Sequence, residues 1–368
     1  MAETGNPGDQ SATTYAAAGV DVDAGDRAVE LMKSAVAATH TPGVVGATGG
    51  FAGMFDVSML KDYERPLLAT STDGVGTKVA IAQALDIHDT IGWDLVGMVV
   101  DDIVVVGAKP LIMTDYIACG HVVPERIAAI VRGIAEACAS AGVALVGGET
   151  AEHPGLLAAD EYDVAGAATG VVEASRALGP ERVAAGDVLL GLPSSGLHSN
   201  GFSLVRRIIA DAGWRLEREV TEFGRTLGEE LLAPTRVYAG ELLELLERVP
   251  GAVHAMSHVT GGGLSANVAR VLPAGLIAVM ERSTWDVPVV FDVLGDLGHV
   301  PREDRERTWN LGVGMVLAVD AAQADAVLAA VPGAWRLGEV AADDGSLAQA
   351  PGYVSGAKGV QGGAAILR

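Results

Sequence analysis

The sequence predicts an α/β protein with α+β character, built as two domains. One ground is length against composition: 368 residues suffice for two cores of ordinary size, and 49% are apolar while only 4% are aromatic. Ala, Val, Leu and Gly must then build interiors in which helices pack closely on sheets. Another is a recurring plan, a strand-like apolar run followed by a glycine turn and an amphipathic helix, present in both halves without a fixed-period repeat. The last is punctuation: Gly-Pro and Ala-Gly-Asp in EASRALGPERVAAGD (173–187) mark a boundary. Domains are expected at 1–174 and 175–345, with a glycine-rich tail at 346–368.

The formal charge of -22 argues against general affinity for nucleic acid or an anionic membrane, which are held chiefly by Lys and Arg. A phosphate ligand must come with a metal ion or meet local donors. Cys119 and Cys138 suggest no disulfide framework and read as thiols of a reducing cytosol, so the expected location is cytoplasmic. MAETGNPGDQSATTY lacks a basic and an apolar leader region, and no later run is long and apolar enough to span a bilayer. The expectation is a protein neither exported nor membrane-spanning.

Along the chain, VDAGDRAVELMKSAVAATH (22–40) has helical periodicity and stops at Pro42-Gly43. GATGGFAGMF (46–55) is too glycine-rich for a helix; it is either a loop whose backbone approaches a ligand or an ordinary connection. PLLATST (66–72) reads as a buried strand that delivers TDGVGTK (72–78) to the carboxyl edge of a sheet, where open α/β sheets place ligands. VPERIAAIVRGIAEACASAG (123–142) is an amphipathic helix between a proline and a glycine, and strands follow at VALVGGET and EYDVAGAATGVV. In the second half, DVLLGLP, AVHAMSHVTGGG and LGVGMVLAV read as strands, FSLVRRIIADAG and RVYAGELLELLERV as helices. GGAAILR at the end can form a late edge strand.

TDGVGTK is not a Walker A loop, because its lysine follows the glycines too soon. Its chemistry is still coherent. Asp73 can ligate a hard cation, Gly74 and Gly76 let backbone N–H groups approach phosphate, and Lys78 adds charge. The alternative is a strand-to-helix turn capped by Asp73. In TIGWDLVGMVVDDIVVVGAKP (90–110), a helix over 94–106 places Asp94 and Asp101 within about 20° of each other, with Asp102 on the adjacent row. A strand would send Asp101 and Asp102 to opposite faces; Gly107 as a C-terminal cap and Pro110 beyond it favour the helix. Clustered carboxylates in so apolar a run point to Mg²⁺, with a solvated acidic face as the alternative.

GGETAEHPG (147–155) puts Glu149 and Thr150 in a second turn after a strand, and His153 there lacks the partners of a zinc site. SSGLHSNG (194–201) offers two hydroxyls, His198 and Asn200 ahead of a helix, a cradle for an anion. His198 can be an acid, a base, a phosphate donor or a loop residue. SHVTGGG (257–263) repeats the device with His258, Thr260, Gly261 and Gly262. Several such turns beside buried-looking carboxylates point to a nucleotide and a phosphorylated substrate.

TDGVGTK, DDIVVVGAKP, VGGETAEHPG, EYDVAG, SSGLHSNGFSLVR, LLAPTRVY, HVTGGG and RTWNLGVGM, in this order and spacing, closely resemble the aminoimidazole ribonucleotide synthetase (phosphoribosylformylglycinamidine cyclo-ligase) family. The resemblance runs from Tyr15 to about Val340, and Asp102 to Pro110 fits the wider superfamily's D-x4-G-A-x-P motif. It implies an N-terminal ATP- and Mg²⁺-binding domain whose sheet pairs with that of a second subunit in a dimer barrel, and a C-terminal α/β domain. It also implies ATP-driven closure of an imidazole ring in purine biosynthesis, and leaves room for transient contact with neighbouring purine-pathway enzymes.

Joined to the motifs, the resemblance gives catalytic roles to His198, Asp73 and Lys78. ATP and its phosphates would meet Thr72, Gly74, Gly76, Thr77, Asp94, Gly107, Gly148 and Thr150, with Gly50, Phe51 and Gly53 closing over the nucleotide. The substrate's phosphate would meet Ser194, Ser195, Gly196, Asn200, Thr260, Gly261 and Gly262. Mg²⁺ would be held by Asp73 and Asp102, helped by Asp101 and Glu149. The chain departs from the family at Asp101, often Asn there, and at Lys109, often acidic. A sister enzyme of the superfamily with another acceptor is one competing reading, and a silent nucleotide-binding scaffold is another. The presence of Asp73, Asp102 and His198 argues against the scaffold.

Overall fold

The computed structural model describes residues 19, 21–46, 50–356, 359 and 362–368. The polar lead, the Tyr15 end of the resemblance and the middle of the glycine-rich stretch at 47–49 lie outside the described residues.

The first half opens with α1 (Val22–Ala38), whose Asp21 cap accepts the Ala24 N–H at 3.0 Å. A short hairpin follows, β1 (Val44–Val45) and β2 (Met54–Phe55). Then come β3 (Pro66–Gly74), α2 (Val79–Leu85), α3 (Ile91–Val104), β4 (Lys109–Cys119), α4 (Pro124–Ala141), β5 (Ala144–Glu152) and β6 (Tyr162–Glu173). These strands form a four-stranded sheet in the order β3-β6-β4-β5, with β4 and β5 parallel and the other pairs antiparallel. The parallel pair needs a crossover, and α4 supplies it between Pro124 at its start and Gly142, in the left-handed conformation, at its end.

The small residues predicted to build the interior do so by close approach. A Cβ on Gly170 would fall 2.6 Å from Ile103, and one on Gly166 3.2 Å from Leu95, so α3 lies almost on the β6 backbone. The helical reading of the aspartate-rich segment holds. The opposite face of the sheet is open: Thr70, Thr72, Thr114, Tyr116 and Ala167 are exposed. The segment PLLATST differs from expectation, since β3 is an edge strand and mostly exposed; Leu68, Thr70 and Thr72 share the open face of a sheet covered on one side only.

The second half contains β7 (Val188–Pro193), α5 (Phe202–Ala212), the β8 (Glu219–Val220) and β9 (Arg225–Thr226) hairpin, α6 (Leu227–Leu231) and α7 (Ala239–Arg248). It continues with β10 (Val253–His258), α8 (Gly263–Arg270), β11 (Leu276–Met280), α9 (Val289–Leu297), α10 (Arg302–Thr308), β12 (Val313–Val319), α11 (Ala324–Ala330), β13 (Trp335–Ala342), β14 (Val354–Ser355) and β15 (Ala364–Leu367). The seven-stranded sheet runs β10-β12-β7-β13-β11-β15-β14. GGAAILR is therefore not an edge: β15 lies inside the sheet with all four residues buried, and β14 takes the edge. One continuous apolar core joins the halves, from Ile91, Val96 and Ile103 on α3 to Phe202, Leu245 and Leu317. Among the described residues no helix is long and apolar enough to cross a membrane.

Candidate functional site

Helix α3 is the spine of the site. At its N-terminal end Asp94 is fully buried and pairs with Lys78, Oδ1 to Nζ at 2.7 Å. Thr235 donates to the same Oδ1 from its backbone at 3.0 Å and from its hydroxyl at 2.6 Å. Lys78 spends its other two hydrogens on the carbonyls of His198 at 3.1 Å and Ala233 at 2.8 Å. Burial pulls the Lys78 ammonium down and pushes the Asp94 carboxyl up, each partly offset by its partner. The phosphate contacts expected of Lys78 and Asp94 are corrected by this geometry. Both side chains are sealed from solvent, and together they tie TDGVGTK to the SSGLHSNG loop and to LLAPTRVY.

One turn before the end of α3, Asp101 is also fully buried and accepts the Tyr238 N–H at 3.0 and 3.1 Å. Burial pushes its pKa up to about 7. Asp101 thus anchors the start of α7 and does not face a metal, a second correction. Asp102 is different: its side chain is 42% exposed, and its Oδ1 meets His258 Nδ1 at 3.0 Å. Against a carboxylate that nitrogen carries the proton, and Nε2 of His258 is buried without a partner. Gly107, two residues past the Val105 cap of α3, takes φ 77 and packs against Leu178, where a Cβ would approach to 3.1 Å.

The glycine turns do meet. Ser199 Oγ donates to the Val75 carbonyl at 2.6 Å, and Thr77 Oγ1 lies 3.2 Å from Ser203 Oγ, which joins TDGVGTK to SSGLHSNG. Asn200 Oδ1 accepts the Gly261 N–H at 3.0 Å, which adds SHVTGGG, with Thr260 and Gly262 beside it. His198 adopts φ 60 and is 1% exposed. Its Nε2 accepts the Ser195 N–H at 3.1 Å, so in the neutral ring Nδ1 carries the hydrogen, buried and without a partner. Burial, then the charges of His258, Lys78 and Arg236, hold it well below the usual histidine range.

The Ser194 and Ser195 hydroxyls brace the loop instead of facing outward. Ser194 bonds the Gly196 carbonyl and Asn310, and Ser195 donates to the Pro234 carbonyl at 2.6 Å. The Gly196 N–H itself donates to Ser194 Oγ at 3.4 Å, so the hydroxyls and this amide close on one another. Asn310 completes the brace through its amide to the Gly196 carbonyl at 2.9 Å.

The remaining candidates lie elsewhere. Asp73 is exposed near the end of β3, its Oδ1 accepting the Gly74 N–H at 2.8 Å, and Gly76 takes φ 71 in open space. Thr72 turns its hydroxyl onto the Gly166 carbonyl at 2.9 Å. Glu149 and Thr150 sit inside β5 rather than in a turn after it. Register aligns Gly74, Ala165, Tyr116 and Glu149 across the sheet, three strand spacings or ~14 Å. Asp73 and Glu149 therefore cannot share one cation within one chain. Gly50, Gly53, Gly148, Glu149 and Thr150 come together around a second feature, a cavity of about 430 Å³ between α1 and β5. Phe51 is wholly exposed and lies off that lining.

Asp115, Thr235, Tyr238 and Asn310 were not singled out as site residues by sequence, and His258 was named only as part of the SHVTGGG turn. The available signals were weak: a lone carboxylate inside the apolar run LIMTDYIACG, and polar residues inside LLAPTRVY, SHVTGGG and RTWNLGVGM.

A polar seam between two α/β halves, fed by glycine turns from both, defines the class of fold. The family models for AIR synthase related protein match this chain, the N-terminal domain at residues 55–172 and the C-terminal domain at 184–349. The chain is 49% identical over 342 residues to the phosphoribosylformylglycinamidine cyclo-ligase of Geobacillus sp. (strain WCH70), covering 93% of this chain and 97% of that one. It is 52% identical over 306 residues to that of Geobacillus thermodenitrificans (strain NG80-2), covering 83% and 88%. The chain belongs to the phosphoribosylformylglycinamidine cyclo-ligase family. Among solved structures, thiamine-monophosphate kinase from Stenotrophomonas maltophilia K279a superposes with TM-score 0.62 at 20% identity, over 86% of this chain and 93% of that one. The hydrogenase maturation protein HypE in complex with ATP gives 0.58 at 19% identity, over 86% of each chain. These two share the fold.

Proposed function

We infer that this chain is an ATP-dependent cyclo-ligase that closes formylglycinamidine ribonucleotide to 5-aminoimidazole ribonucleotide, ADP and phosphate in purine biosynthesis. One observation carries the reading beyond kinship: TDGVGTK, SSGLHSNG, SHVTGGG and Asp102, far apart in sequence, are held in direct contact along the seam.

The chemistry needs the formyl amide oxygen to take the γ-phosphoryl group of ATP. The resulting iminophosphate carbon is attacked by the amidine nitrogen, phosphate leaves with the oxygen, and a proton is lost as the ring becomes aromatic. For that sequence, the backbone N–H groups at Gly262 and at the start of α5 suit the substrate's 5'-phosphate. Neutral His198 offers a hydrogen at Nδ1 for the reacting amide. Closing the site against water protects the iminophosphate from hydrolysis.

Mg²⁺ fits the exposed carboxylates of Asp73 and Asp102 better than a protein cage. Among the described residues no three His, Cys, Asp or Glu side chains gather to hold a metal, and Mg²⁺ normally takes one or two carboxylates plus substrate phosphates. When bound it would neutralise charge on the triphosphate. A homodimer joined through the first sheet is part of the proposal, supported by the open sheet face and by the two edges, β3 and β5, that pair with no further strand among the described residues. The cytoplasmic location and any contact with neighbouring pathway enzymes stay within it too. Phosphate release from ATP with Mg²⁺, with and without formylglycinamidine ribonucleotide, is the test. Release coupled to imidazole formation is expected; turnover indifferent to that substrate would refute the assignment.

A further inference from the structure

His198 enters the chemistry above through one hydrogen, and its neighbours decide which ring nitrogen carries it. A neutral imidazole has one N–H and one bare nitrogen. The Ser195 N–H donates to Nε2 at 3.1 Å, which puts the hydrogen on Nδ1. Rotation of the peptide group between Ser194 and Ser195 would turn the Ser194 carbonyl toward Nε2 instead. The ring would then carry its hydrogen on Nε2, and Nδ1 would become an acceptor with nothing to donate to the reacting amide. Burial first, and then the charges of His258, Lys78 and Arg236, keep the ring neutral, so its tautomer decides what it can do.

The backbone by itself does not fix that peptide. Gly196 takes φ 136 in open space, a region that glycine enters and leaves without steric cost. His198 adopts φ 60, uncommon for a residue with a side chain, so the surroundings must impose the conformation of the loop. The restraint comes from the segment ahead of β12. There the Gly312 carbonyl accepts the Ser194 N–H at 2.9 Å. Asn310 is buried and donates from Nδ2 to the Gly196 carbonyl at 2.9 Å. Its Oδ1 accepts the Gly312 N–H at 2.9 Å and stands 3.1 Å from the Ser194 hydroxyl. One amide thus clamps residues 194 and 196 on either side of the N–H that meets His198.

We propose that Asn310 is a positioning residue for ring closure. By clamping the Ser194–Gly196 turn it keeps the Ser195 N–H on Nε2 and the His198 hydrogen on Nδ1, the atom offered to the formyl amide. This rests on the part given to neutral His198 in the cyclo-ligase reading.

The test reads the ring directly, by NMR of the full chain with isotope-labelled histidine nitrogens at neutral pH and without substrate. The His198 signals, assigned by their loss in His198→Gln, separate the two tautomers. Asn310→Asp keeps the size and the Oδ1 acceptor but loses the donor to the Gly196 carbonyl. The unaltered chain should carry the hydrogen on Nδ1, and in Asn310→Asp a large share should move to Nε2. In that variant kcat for imidazole formation should fall about a hundred-fold, the low end of what a positioned proton donor contributes, with KM for Mg-ATP changed by no more than about two-fold. Asn267→Asp is the matched control. Asn267 is also buried and donates to the Thr260 and Gly263 carbonyls at 3.0 and 2.8 Å, but it braces the neighbouring turn, so its loss should leave the hydrogen on Nδ1.

A hydrogen on Nε2 in the unaltered chain would overturn the proposal, and that measurement needs no variant to fold. So would an unmoved ring in Asn310→Asp, an equal shift in Asn267→Asp, or a shifted ring with kcat unchanged. Imidazole formed by the parent with no Asn310 effect leaves the cyclo-ligase reading standing and removes this one. A parent that forms no imidazole removes the cyclo-ligase reading, and the nitrogen spectrum still decides whether Asn310 sets the tautomer.

Discussion

The seam along α3 buries its carboxylates, the cavity beside β5 half-buries one, and they treat them in opposite ways. Asp94 receives three donors on one oxygen, from Lys78 and twice from Thr235, and Asp101 receives the α7 backbone. Asp115 is half-buried, with no other residue among those described donating to it. A carboxylate supplied with partners from distant segments holds those segments together. One denied them raises the free energy of its charged form and leaves hydrogen-bonding capacity for a ligand.

The strongest way to break this comparison is Lys78→Met. It leaves Asp94 charged, buried and unpaired, a loss of about 3–5 kcal/mol in a denaturant melt, and Lys78→Met with Asp94→Leu should recover much of it. A phosphate-binding Lys78 would instead leave stability alone and raise KM for ATP. Next is Asp115→Asn. Because its folded pKa of about 7 is raised above the unfolded value, the folded state binds the proton more tightly. Its contribution to stability is present below pH ~4 and is lost as pH rises toward and through 7. The variant should therefore flatten the stability profile across that window and gain up to a few kcal/mol at pH 8, at about 1.4 kcal/mol per pKa unit; an unchanged profile would contradict the raised pKa.

A smaller effect is expected at His258→Ala, which frees the exposed Asp102. Its Mg²⁺ titration of activity should shift about ten-fold to higher metal, with little change in melting temperature; a normal metal midpoint would assign His258 to packing. The least is Ser199→Ala, which removes one bond between the two loops and should cost about 1 kcal/mol, read as a small drop in melting temperature.

The helix over the aspartates, the glycine turns and the class of fold were legible because each depends on local periodicity and on residues with strong backbone preferences. The direction of the carboxylates was not. Helical phase put Asp94 and Asp101 on one face, correctly, but that face meets the second half of the chain rather than solvent, and only the packing of LLAPTRVY against α3 shows it. Lys78 was misassigned for the same reason: lysine after a glycine turn reads as a phosphate donor unless the carbonyls of His198 and Ala233 are known to surround it. Glu149 was placed in a turn because two glycines precede it, whereas β5 runs through them, paired along one side to β4.

By itself the sequence determined the alternation of strand, glycine turn and helix, the two-part architecture, and the family, since these follow from periodicity, from φ-permissive glycines and from motif order. The tertiary structure alone decided which acidic groups face a ligand and which hold the halves together. A carboxylate's role depends on the donors that reach it, and here Thr235 reaches Asp94 and Tyr238 reaches Asp101 from more than a hundred residues away.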